Sequence, residues 1–105
     1  IADTNKALRS RLLAVPTLRT RYLKYVADIA HTHLEPASFG ARVARYARLI
    51  EDDIARDTRK TGTIEAFRAG IDTSPTATNS LRSFSEKRRS ALLNHPEVLN
   101  ARVPR

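Results

Sequence analysis

Three kinds of side chain in this chain have the right chemistry for a functional site: histidines, a run of carboxylates and a run of bases. His31 and His33 are two residues apart. On a helix that spacing turns the rings about 160° from each other, so they do not share a metal. His95 stands alone, with neither a cysteine nor an H-E-x-x-H pattern to complete a zinc site. All three read as neutral histidines at the surface or partly buried. Glu51, Asp52 and Asp53 have the composition of a magnesium site or an acid/base pair. Adjacent helical positions diverge by about 100°, so the three do not converge. Asp53 and Asp57 do share a face, with Arg56, Arg59 and Lys60 close enough to neutralise them. No phosphate-binding glycine loop and no nucleophile elbow is present, and there are only three glycines. The expectation is no catalytic residue, no cofactor-binding residue and no metal ligand within this chain.

Lys87-Arg88-Arg89 is the densest basic run. It has two readings. It contacts a few phosphates of a nucleic acid, with salt-dependent affinity. Alternatively Arg88, which falls on the apolar stripe of its helix, turns inward and forms a buried ion pair with Asp53 or Asp57. The stripe position favours the second. On that reading Arg88→Met alters thermal stability and leaves nucleic-acid affinity unchanged.

These groups must be positioned by helices. Pro16 ends a short first helix, capped by Asp3, Thr4 or Asn5, and opens a second that reaches His33. Leu12 belongs to the first. Leu18, Tyr22, Val26 and Ile29 form the stripe of the second. Pro36 opens a third helix to about Asp57, with Phe39, Val43, Tyr46, Ala47, Ile50 and Ile54 in line. A short helix from Thr63 to Ala69 carries Ile64 and Phe67. Residues 72–80 form a polar loop. Asn79 or Ser80 caps the last long helix, with Leu81, Phe84 and Leu92 inward. Residues 97–105 are a tail too short to classify. These stripe residues are the expected core, and on that assignment truncating Tyr22 or Phe84 costs ~3 kcal/mol or more. The architecture expected is all-α: one helical unit over 1–105, a small bundle of three longer helices and one or two short ones. No strand pattern with hairpin punctuation appears.

Composition narrows the classes. A chain of 105 residues makes one small domain. It lacks cysteine, which excludes disulfides and thiolate metal sites. No long apolar run is present, so no membrane helix is expected. The net charge of +8 admits a polyanionic partner, but the arginines are scattered among helices and acids rather than gathered on one face. The chain begins at Ile1 and holds no methionine, so it is expected to be a piece of a longer protein with any targeting signal lost from it.

Four segments in this order resemble the CotH kinase-like family. They are R-Y-L-K-Y-V at Arg21 to Val26, the helix break Glu35-Pro36, Asp57-Thr58-Arg59-Lys60, and F-S-E-K-R-R from Phe84 to Arg89 followed by Leu92 and Leu93. These are helix-packing patterns rather than catalytic signatures. The resemblance implies an atypical protein kinase of the spore-coat type, using ATP and a divalent metal on a protein substrate. It implies a secreted, cell-surface or spore-coat setting in bacteria. The family's nucleotide and metal residues lie upstream of the segments matched, and none is carried onto a position here. This chain is then the C-terminal helical scaffold of a larger kinase-like fold. Its partner is the missing N-terminal catalytic region, and an exposed apolar patch is expected where that region sits. The alternative is a basic helical nucleic-acid-binding or protein-interaction module.

Overall fold

The computed structural model describes residues 5–101, and the expected caps Asp3 and Thr4 lie outside them. Six helices follow one another: α1 Ala7–Ala14, α2 Pro16–Thr32, α3 Pro36–Arg56, α4 Ile64–Gly70, α5 Leu81–Leu93 and α6 Pro96–Ala101. The described residues contain no strand. The chain is all-α, with α2, α3 and α5 as its three longer helices.

Proline and hydroxyl residues set the boundaries. Pro16, Pro36 and Pro96 each occupy the first helical position, where the missing N–H costs nothing and the fixed φ suits the turn. Val15 and Glu35, ahead of the first two, are extended, as a residue before proline prefers. The Glu35 carboxylate accepts from Ser38 N at 2.8 Å. Thr63 Oγ1 accepts from Ala66 N at 3.1 Å, and Ser80 Oγ from Ser83 N at 3.2 Å. Three helix starts therefore satisfy an otherwise orphaned donor through a side chain. The α2–α3 corner is tied as well. Ser38 Oγ donates to Thr32 O at 2.9 Å, and Arg42 Nη2 donates to His33 O, so the last carbonyls of α2 keep partners.

The helices meet through small residues. On α2 the buried side chains are Leu23, Ala27 and Ala30; on α3 only Ala47; on α5 only Ser85. Helix α5 packs against α2, α3 and α6, and α2 packs against α1, α5 and α6. Ser85 is fully enclosed, and its hydroxyl donates to Arg82 O of its own helix at 2.8 Å. A small side chain whose polar atom is satisfied locally lets two helix backbones come close.

The core differs from the one expected from the stripes. Leu12, Tyr22, Ile29, Tyr46, Ile50, Leu81 and Phe84 are exposed. Leu18, Val26, Phe39, Val43, Ile54, Phe67 and Leu92 are half-buried. The buried face of α2 is the expected stripe advanced by one residue, a rotation of about 100°. Bulky side chains dominate the periodicity, but small ones dominate the packing. The segment 97–105 read as a tail is corrected too. Its first part folds into α6, and Val98 joins Leu23 and Ala27 in the core cluster, with Val26 and Ala101 packed around it. Arg19 Nε donates to Glu97 Oε2 at 2.8 Å, pinning α6 to the start of α2.

The result is long and open. Its radius of gyration is 17.9 Å, where a compact chain of this length has about 13 Å. It exposes 8103 Å², where a compact monomer of its mass exposes about 5,900 Å².

Packing through small residues makes a prediction opposite to that of the stripes. Ala30→Leu should destabilise by ~1–3 kcal/mol through overpacking, and Leu23→Ala by ~2–4 kcal/mol. Phe84→Ala should cost less than ~1 kcal/mol. Urea unfolding of the three variants measures this; a large loss at Phe84 with none at Ala30 would restore the stripe assignment.

Candidate functional site

Of the three longer helices the most amphipathic is the least covered. Helix α3 is 21 residues long and buries Ala47 alone. Phe39, Val43, Tyr46 and Ile50 recur along one side at helical spacing and form the floor of an open groove of about 520 Å³. Phe67 of α4, Ile71 just after it and Leu81 of α5 wall it. Arg68 Nε donates to Glu51 Oε1 at 2.8 Å, which holds α4 against α3. At one end Arg42 Nη1 lies 3.2 Å from His33 Nδ1. Arg45 lies over the Tyr46 ring at 5.0 Å from its centroid, a cation–π contact at the groove. No carboxylate or hydroxyl nucleophile other than the Tyr46 phenol lines the groove. What it can do is bury apolar side chains of another polypeptide segment.

The acidic residues are dispersed. Glu51 pairs with Arg68, and Asp53 with Arg56 at 2.9 Å. Asp57 accepts from Arg59 N at 2.7 Å. Glu86 pairs with Arg82, and Glu97 with Arg19. Among the described residues no three His, Asp or Glu side chains are grouped to hold a metal ion. No described helix is long and apolar enough to cross a membrane.

The ion pair expected of Arg88 is corrected. Arg88 is exposed, Asp53 is taken by Arg56, and Asp57 caps the turn that follows α3. The physical reason is the same rotation: the side of α5 turned inward runs through Arg82, Ser85, Arg89 and Leu92, one residue on from the expected line, which leaves position 88 exposed. The three bases of this run point three ways. Lys87 lines a shallow recess beside Ser80 and Phe84, and Arg88 lines a cleft with Tyr22 and His95. Arg89 lies near enough to Glu35 to lower its pKa, and its Nε is enclosed without a partner. They do not form one anion-binding surface.

Comparison with known families follows this geometry. The CotH kinase protein family matches residues 2–92. The chain belongs to that family. Searches of curated proteins and of solved structures return no match. In this CotH chain the matched span takes in α1 to most of α5, including the groove, and stops short of α6. The residues that sequence reasoning missed are Leu23, Ala27, Ala30 and Val98. The regular spacing of leucine and alanines along α2 was their one visible signal.

Glu35 links this site to pH. Its pKa is lowered chiefly by the Ser38 N–H, then by that of Ala37, with a smaller contribution from Arg89. A depressed carboxylate contributes stability above its unfolded pKa and loses it as pH falls through the folded value. Glu35→Gln should therefore lower the melting temperature near neutral pH, and the difference from the parent should shrink as pH falls below the ordinary carboxylate range and through the lowered folded value. Thermal scans over falling pH check this.

Proposed function

We propose that the chain is the helical support of a CotH-like protein kinase, packed against a catalytic core carried by polypeptide upstream of these residues. The observation that carries this reading is the α3 groove. A self-sufficient domain closes over its most amphipathic helix, whereas here that face lies open. The excess surface, roughly 2,000 Å² over a compact monomer, is larger than the ~800 Å² each partner gives to a standard interface. That is enough for a permanent contact.

On this reading ATP, a divalent metal and the protein substrate belong to the core, in a secreted, cell-surface or spore-coat setting. The chain's own part is mechanical. Phe39, Val43, Tyr46 and Ile50 bury the core's apolar surface, and the short contacts at the α2–α3 corner keep that face in place. No phosphoryl-transfer step passes through a residue described here. The dispersal of Lys87, Arg88 and Arg89 gives the nucleic-acid reading no support.

Hydrogen exchange tests the contact. Amides of α3 should be better protected when the chain is joined to its upstream sequence than when it stands alone. Ile50→Asp should remove that added protection and sharply reduce kinase activity of the longer protein. Because Ile50 is 45% exposed, the same change should shift the melting temperature of the isolated chain only slightly. Equal protection with and without the upstream sequence would defeat the reading. The isolated chain should also give no binding heat with magnesium and ATP; micromolar binding would place a nucleotide site within it.

A further inference from the structure

Arg88 takes neither role expected of it, and its surroundings suggest another. It lines a cleft of about 330 Å³ where α1, α2, α5 and α6 come together. Tyr22 enters from α2, His95 from the link between α5 and α6, and Arg9 from α1. Val26, Leu92 and Val98 supply an apolar floor. Every ionisable group on the wall is a base or a phenol, and no carboxylate lines it. Glu97, two residues after His95, is held by Arg19.

One of the donors is oriented. Glu97 N donates to His95 Nδ1 at 3.3 Å, which in the neutral ring leaves Nε2 carrying the proton and able to donate. Arg88 is exposed and carries a rigid fork of donors. Arg9 already interacts with another group, so recognition falls to Arg88, His95 and the Tyr22 hydroxyl. A guanidinium, an imidazole N–H and a phenol offer more donors than one carboxylate accepts, and they suit the three terminal oxygens of a phosphate. The floor adds a second requirement, because inorganic phosphate alone would leave it wet. A volume of this size lies at the lower end of the range for small-ligand pockets.

We propose that this cleft binds a phosphate monoester with a compact apolar body. It shares no lining residue with the α3 groove, so it stands whether or not that groove docks a kinase core. A phosphorylated aromatic side chain and a free aryl phosphate present the same chemistry.

Phenyl phosphate is the probe, titrated into the isotope-labelled full chain at constant ionic strength and followed by NMR. Saturable shifts should appear at Tyr22, Arg88, His95 and Val98. Phenol and inorganic phosphate should each bind at least about tenfold more weakly, a difference of about 1.4 kcal/mol or more. Arg88→Gln should weaken phenyl phosphate by a similar factor, and His95→Gln provides a second variant at a separate position. A phosphotyrosine peptide that binds as tightly as phenyl phosphate would identify a protein source; weaker binding by the peptide would identify a free ester. Non-saturating shifts spread over the basic surface would overturn the proposal. So would unchanged affinity in both variants, or equal binding of inorganic phosphate.

Discussion

Close approach of helices through small side chains is the constraint from which the rest of this structure follows. Ala27 and Ala30 on α2, Ala47 on α3 and Ser85 on α5 occupy the buried positions of their helices. Atoms of such side chains leave room for backbones to come near, and the gain is dispersion between main chains rather than transfer of bulky groups from water. Among the described residues only Leu13, Leu23 and Val98 are large hydrophobic side chains that are enclosed. The fold thus acquires definition from its packing while keeping most of its bulky apolar surface outside.

The proposed docking to a catalytic core rests on that distribution. Tyr22, Tyr25 and Ile29 on α2, Tyr46, Leu49 and Ile50 on α3, and Leu81 and Phe84 on α5 all face outward. Single exposed hydrophobics are ordinary, but rows of them along all three longer helices are not. Several of the acids are held by arginines, and Thr63 and Ser80, which cap α4 and α5, are committed to backbone donors.

The charge pattern follows the same geometry. A helix sends consecutive residues in directions about 100° apart, so a run of three bases in sequence is not a patch in space. Lys87, Arg88 and Arg89 reach three different environments. The cleft around Arg88 and His95 draws its basic groups from separate helices instead. It exists only because α6 folds back onto α2, held by Val98 and the Arg19–Glu97 pair.

The sequence by itself determined five of the six helices and most of their ends. Pro16, Pro36 and the hydroxyls of Thr63 and Ser80 act locally, within one turn, so their effect can be read without knowing any neighbour. It also carried the family resemblance, through Arg21 to Val26 and Phe84 to Arg89. Which face of each helix turns inward was decided by tertiary structure alone. A stripe such as Tyr22, Val26 and Ile29 announces that a face is apolar, but the partner that covers it need not lie in the same stretch of chain. Here α5 and α6 meet α2 on the adjacent face of Leu23, Ala27 and Ala30, because those smaller side chains permit the closer approach. The burial of Val98 and the freeing of Arg88 follow from that choice of face.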